Sequence, residues 1–287
     1  MTLDDSVLAE IARHRGASRS LFMKALGQVE FERCADDPLY WIDRRRHPAF
    51  DYVFTRDPQQ LYICRECATG VASPVGMPFD KRKVHLEVTH NKEVASLTAA
   101  DLRDVFTEIP STRPFTLMDY MPPLIAIWLT EPILLVEKSR DMMATWLFVA
   151  LYTWDTIFHQ NRQNIVQSKA ATSTLDLLRR ANFIYAHQPK FLRSVHKAEF
   201  ASTTTRSGQL SVPSLNSELL GFPQGPDQIR GYHPSGIFVD EAAFQIEAGD
   251  AFRTIKPAID RGGRYTAISS ANPGFFQMAV QDRLQEV

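Results

Sequence analysis

A mostly parallel sheet with helices on both faces, an α/β architecture, is what this chain of 287 residues predicts. Three observations carry the prediction. Short apolar runs, such as residues 133–137 (ILLVE) and 236–239 (GIFV), have the length and composition of strands buried on both faces. They alternate with longer segments of helical spacing, which is the pattern of parallel sheets. The run at 236–239 then ends in Asp240-Glu241, so a buried strand delivers two adjacent carboxylates at its C-terminal tip.

The elements follow in order. Residues 5–27 carry helical spacing, with Leu8, Ile11, Leu21, Phe22 and Leu26 on apolar faces. Residues 30–63 mix charges with Tyr40, Trp41, Phe50, Tyr52, Phe54 and Tyr62, as in a small folded lobe. Thr98 and Asp101 stand at capping-box spacing and open a short helix. From Pro110 the pattern changes. After the strand at 133–137, residues 142–158 are apolar almost all round, which suits a buried helix. A strand at 164–169 and an amphipathic helix at 172–187 come next. Further strands are expected at 199–202, 218–222, 236–239 and 265–269, and helices at 241–247 and 250–259. The expected division is an N-terminal lobe at 1–109 and an α/β domain at 110–287.

Composition limits the alternatives. Apolar content of 44% and charged content of 23% are ordinary for a globular protein. A net charge of −1 creates no global field toward nucleic acid or membrane, so any polyanion site must come from local clusters. The candidates are Arg44, Arg45, Arg46 and His47; Lys81, Arg82 and Lys83; and Arg179, Arg180, Lys190, Arg193 and Lys197. Each also fits a solvated face. The start, MTLDDSVLAE, is acidic and lacks an apolar core, so no signal peptide is expected. The longest apolar stretch, 124–136, is broken by Thr130, Glu131 and Pro132 and is too short for a bilayer. A cytosolic protein with three cysteines is not expected to build a disulfide framework.

The paired carboxylates suit a nucleoside triphosphatase. Asp240 can hold Mg²⁺ through water, and Glu241 can polarise the attacking water. The same residues also fit a core strand followed by an acidic helix start. Upstream, Lys138-Ser139-Arg140-Asp141-Met142-Met143-Ala144-Thr145 lies between strand and helix, where a phosphate loop would. It lacks both glycines and the lysine before the final threonine. Such a loop works through backbone N–H groups at a helix N-terminus, however, and those do not require glycine. Lys138 can reach back to the phosphates, Arg140 can touch the terminal one, and Thr145 can ligate Mg²⁺. Taken alone, the segment also fits a plain helix cap.

Cys64-Arg65-Glu66-Cys67 is followed, after seventeen intervening residues, by His85 and then His90. A C-x2-C knuckle with an H-x4-H pair matches a tetrahedral zinc site, although the gap between them is long. A helix over 80–90 would carry both imidazoles, and Phe79 and Val84 would supply a small core. Cys34 and His47 are alternative ligands. Two incidental cysteines and two surface histidines are the plain alternative.

The order LLVEKSRDMMATW, GFPQGPDQIRGY, GIFVDEAAF and TAISSANP resembles the ATPase portion of the large terminase subunit of tailed bacteriophages, the motor that pumps viral DNA into a procapsid. The resemblance covers roughly residues 110–285. It implies a P-loop sheet of the ASCE type. It implies that 138–145 is a Walker A loop of the variant beginning with lysine, that Asp240 is the Walker B magnesium residue and that Glu241 is the catalytic base. Ser269, Ser270, Ala271 and Asn272 would be the coupling motif. Arg230 would contact a phosphate of nucleotide or DNA. Residues 113–120 would bind adenine, with Arg113, Phe115 and Tyr120 as contacts.

The cofactors implied are ATP and Mg²⁺, beside the zinc read from spacing. The implied partners are double-stranded DNA, the procapsid portal, the small terminase subunit and further copies in a ring, in the host cytoplasm and away from membranes. Departures from the pattern are the glycine-free loop and Met121, near where the adenine motif often carries glutamine. The family's RNase H-like nuclease would follow Val287, so this chain is expected not to cut DNA. The segment 64–90 lies outside the resemblance. Two other readings remain: a nucleic-acid or capsid-docking module with a decayed ATP site that binds through the zinc lobe, and a helicase-like ATPase, which would need a second motor lobe.

Overall fold

The computed structural model describes residues 19–46, 50–56, 61–69, 77–78, 81–93, 98–108, 111–140, 142–202 and 208–281. They form two compact units. One holds the described residues up to Phe54 together with those from Pro114 onward, and the other spans Thr55–Arg113.

The larger unit is built on a seven-stranded sheet: β1 (Ile133–Glu137), β2 (Gln163–Ser168), β3 (Glu199–Ser202), β4 (Gly208–Val212), β5 (Ser217–Pro223), β6 (Gly236–Asp240) and β7 (Arg264–Ser269). Its order is β1-β7-β6-β2-β5-β4-β3. In that order the five strands from β1 to β5 run parallel, and β4 and β3 add antiparallel. β7 therefore lies between β1 and β6. The register sets Glu137 opposite Ser269 and Asp240 opposite Ile268, so three strand tips end in one row.

Alternation along β6 builds the two apolar layers. Phe238 packs on one face, with α3 (Ala144–Phe158) and α4 (Ala171–His187). Ile237 and Val239 pack on the other, with Ala251, Ile255 and Ile259 of α5 (Ala248–Asp260) and Phe276 of α6 (Phe275–Val280). α3 is buried nearly all round, as its composition predicts. Its buried Thr153 and Thr156 satisfy their hydroxyls on carbonyls four residues back, at 2.7 and 2.8 Å. Toward the sheet, the Tyr152 hydroxyl donates to the Ile237 carbonyl (2.8 Å). At Gly221 of β5, a Cβ would stand 2.5 Å from a Leu178 methyl, so α4 can approach the sheet only because this residue has no side chain.

Several expectations change. The helix expected at 5–27 is described from Arg19 and runs on to Asp36 as α1; its earlier part lies outside the described residues. The aromatics at 40–54 do not form a lobe of their own. Trp41 packs edge-on against Phe158 of α3 (5.6 Å between centroids), and Phe50 against Phe191 (4.8 Å). That burial joins residues up to Phe54 to the larger unit, so the expected boundary at 109/110 is replaced by two crossings, at 54/55 and 113/114. The helix expected at 241–247 is absent. Glu241 bends into the left-handed region (φ 55°) and only a 3₁₀ turn follows, Ala242–Phe244. The sequence reading also missed β4, the helix α2 (Met121–Thr130) and α6. Among the described residues, no helix is long and apolar enough to cross a membrane.

The smaller unit carries a three-stranded antiparallel sheet, in the order Met77–Pro78, Leu61–Cys64, Phe106–Glu108, and helices at Arg65–Ala68, Lys81–His90 and Ala99–Val105. The capping box forms as expected: the Asp101 N–H donates to Thr98 Oγ1, and the Thr98 N–H to Asp101 Oδ2. Among the described residues the buried core is Cys64, Leu86, Leu102 and Phe106. Val84 is not part of it, being 51% exposed. Arg82 and Leu86, four residues apart, define the inward face of the helix, and Val84 falls between turns on the outer one. Phe79 lies outside the described residues.

Candidate functional site

The row of strand tips gathers the residues singled out by motif. The Lys138 N–H donates to the Ser269 carbonyl (2.9 Å), which ties the loop after β1 to the end of β7. The loop turns into α3 through Met143, at φ 54° and ψ 8°. This is where a standard phosphate loop has its second glycine, and the backbone takes the left-handed bend with a methionine in place. The Tyr120 hydroxyl donates to the Met142 carbonyl and braces the loop from α2. The first N–H groups of α3 have no acceptor within the helix and carry its positive dipole end. Ser139 and Arg140 are exposed on the loop. Asp141 lies outside the described residues.

Thr145, in the first turn of α3, donates through Oγ1 to Asp240 Oδ1 at 3.4 Å. The same oxygen accepts the Glu241 N–H at 3.0 Å. Burial pushes the Asp240 carboxyl above its ordinary range; the positive charges of Lys138 and, more weakly, Arg180 pull it back. Arg180 comes from α4, with its guanidinium 5.1 Å from the centre of the Trp146 ring. Glu241 Oε2 forms an ion pair with Lys169 Nζ at 3.1 Å, from the residue just after β2. From sequence, Lys169 is expected only as the end of a strand and Arg180 only as part of a basic cluster. No local motif marks either, because their partners are distant in sequence and meet them through sheet order.

The segment after β7 grips the turn after β6. Ser269 Oγ accepts the Ala243 N–H (3.1 Å), and Asn272 Nδ2 donates to the Ala243 carbonyl (2.9 Å). Gln245 Nε2 closes the turn on the Asp240 carbonyl (3.0 Å). Ser270 is half-buried beyond the strand end, and Ala271 and Asn272 line a cavity of about 220 Å³ with Glu137 and Phe276.

The residues expected around a base differ in their surroundings. Phe115 is 1% exposed within the apolar core and offers no face for stacking. Arg113 belongs to the smaller unit, on the strand Thr112–Pro114. Met121 is fully buried. Tyr120 does border open space: an apolar pocket of about 290 Å³ beside the loop, lined also by Pro123, Leu124, Ile127, Val136 and Met142. Arg230 is exposed and paired with Asp227 at 3.0 Å. The Arg44–Arg46 cluster is likewise matched locally, by Asp51, Asp43 and Asp37.

In the smaller unit Cys64, Cys67, His85 and His90 converge, with one ligand atom from each and all within 4.8 Å of one another. A set of two thiols and two imidazoles is compatible with zinc. Cys34 is no substitute: it is buried in the core of the larger unit, and burial pushes its thiol pKa well up. His47 lies outside the described residues.

No family model and no curated protein matches the sequence. Solved structures of bacteriophage terminases are similar to it, one of them with a TM-score above 0.5. The large terminase of bacteriophage HK97 superimposes with a TM-score of 0.51 at 16% identity, over 62% of this chain and 39% of that one. A large terminase from a thermophilic bacteriophage, solved in complex with ADP, gives 0.45 at 11% identity over 60% and 43%. The large terminase ATPase domain of Thermus phage P74-26 gives 0.43 at 12% identity over 56% and 68%. This chain thus spans 39% of the length of the HK97 protein. By fold, and in agreement with the order of its four motifs, the chain resembles a bacteriophage large terminase.

Proposed function

We propose that this chain is an ATP-hydrolysing motor of the terminase type, which couples hydrolysis to movement of double-stranded DNA into a procapsid. The observation that carries the reading is the Thr145–Asp240 contact, with Glu241 next in the chain, on the tip row of a parallel sheet. Parallel sheets bind nucleotides at such an edge.

In this reading the N–H groups opening α3, together with Lys138 and Arg140, receive the triphosphate. Thr145 and Asp240 would hold Mg²⁺, which would supply charge neutralisation for phosphoryl transfer. Glu241 orients the attacking water once it is released from Lys169. Tyr120 and the apolar side chains of α2 receive the base. Ser269 and Asn272 transmit the state of the Glu241 turn along β7, which also anchors Lys138. A neighbouring copy in a ring would supply an arginine, which in related nucleotidases is worth about 10³–10⁵ in rate. DNA contacts would be made to phosphates and be independent of sequence. The portal and the small terminase subunit are the remaining partners.

A second reading, a docking module that no longer turns over ATP, is favoured by Ala144 standing where a phosphate loop has its lysine. One assay separates the two: Mg²⁺-dependent ATP hydrolysis at high protein concentration, with and without linear duplex DNA. The wild type should hydrolyse ATP faster with DNA, and Glu241→Gln should lose about 10²–10⁴-fold while still binding nucleotide. Equal background rates in both proteins would leave the docking reading.

A further inference from the structure

We infer that Cys64, Cys67, His85 and His90 form a closed, structural zinc site that holds the Thr55–Arg113 unit together. The distances fit one small tetrahedral ion. Zinc binds thiolate sulfur at about 2.3 Å and imidazole nitrogen at about 2.0–2.1 Å, so a tetrahedral angle sets sulfur and nitrogen about 3.5 Å apart. Here Cys64 Sγ is 3.3 Å from His90 Nε2, and Cys67 Sγ is 3.2 Å from His90 Nε2 and 3.4 Å from His85 Nε2. Soft sulfur donors exclude a Mg²⁺ or Ca²⁺ site. Four protein ligands complete the tetrahedron and leave no position for a substrate.

The outer contacts make the same assignment. Both imidazoles turn Nε2 inward and have Nδ1 engaged from behind. His90 Nδ1 meets Glu66 Oε2 at 2.8 Å, and Lys92 Nζ holds the other Glu66 oxygen at 2.6 Å. His85 Nδ1 faces Thr89 Oγ1 at 3.3 Å. A carboxylate behind a metal-binding histidine fixes its tautomer and raises its basicity. Surface histidines grouped by accident have no need of such backing. Among the described residues the unit's buried apolar cluster is Cys64, Leu86, Leu102 and Phe106, with Tyr62, Met77 and Val105 packed against it, and a metal crosslink stabilises a core of that size. The ligands come from the end of a strand and the short helix after it, and from the helix Lys81–His90. One ion therefore crosslinks the two halves of the fold.

The test uses the full chain, purified without chelator, and reads zinc by elemental analysis. One zinc per chain is expected in the wild type and in Cys34→Ser, and none in Cys67→Ser. Co²⁺ exchanged into the wild type should show the strong visible bands of a tetrahedral thiolate site. Glu66→Gln should keep the fold and lose zinc to a competing chelator about 10–100-fold more readily. A wild-type chain that holds no zinc and takes up neither Zn²⁺ nor Co²⁺ would overturn the proposal. So would zinc content that Cys67→Ser leaves at one. Glu241→Gln should keep its zinc, so this outcome stands apart from that of the ATPase assay.

Discussion

Met143 performs a glycine's bend with a side chain attached. A non-glycine residue in the left-handed region costs about 1–2 kcal/mol, and in this chain it falls at the turn into α3. Met143→Gly relieves that strain but loses the packing of a half-buried side chain and gains unfolded-state entropy. Chemical denaturation should therefore show a change within about 1 kcal/mol. Met143→Val should destabilise by about 1–3 kcal/mol, because a β-branched residue fits that conformation worst. A Met143→Val protein as stable as wild type would remove the strain. The Lys169–Glu241 pair allows a second test. Both side chains are about 40–45% exposed, so the ion pair is worth no more than about 1 kcal/mol. If it restrains Glu241, Lys169→Ala should raise DNA-independent ATP turnover by up to about fivefold with KM unchanged. A large fall would instead make Lys169 part of the chemistry. Asp240, Glu241 and Thr145 were legible in the sequence because each ends a strand, follows one or opens a helix in a recognisable order. Lys169 and Arg180 were not, since β2 and β6 become neighbours only in the folded sheet.

At the level of strands and helices, β7 is the element that joins the parts. It pairs with β1 and β6, its last residue receives the Lys138 N–H, and its continuation holds Ala243. Asn272→Ala removes one hydrogen bond from that grip and leaves the carbonyl of Ala243 without it. The expectation is a kcat reduced about tenfold under DNA stimulation, with the Kd for a non-hydrolysable ATP analogue within about threefold of wild type, since a lost hydrogen bond is worth about 1–1.5 kcal/mol. A weakened Kd with unchanged kcat would assign Asn272 to binding rather than coupling. The parallel strands were readable from composition because burial on both faces demands apolar runs. β4, with the sequence GQLSV, is antiparallel near the sheet's edge and has no such run. The turn at 241–247 misled for a related reason: its residues favour helix, but the left-handed Glu241 redirects the chain first.

For the whole molecule, the sequence placed one boundary where the fold has two. The aromatic residues of 40–54 looked like a lobe because aromatics imply a core, and sequence does not say whose. Trp41 and Phe50 gave their rings to the larger core, and only Thr55–Arg113 was left as a separate unit. The Cys/His cluster there was legible from spacing alone, whereas Glu66 and Lys92 behind it were not. The proposed motor requires one triphosphate lying between Lys138, Thr145 and Asp240. A crystal structure with Mg²⁺ and a non-hydrolysable ATP analogue tests this most directly. It should place the phosphates over the N-terminus of α3, with the ion against Thr145 and Glu241 turned from Lys169 toward the terminal phosphate. Nucleotide bound elsewhere, or a tip row left empty at saturating analogue, would contradict the account.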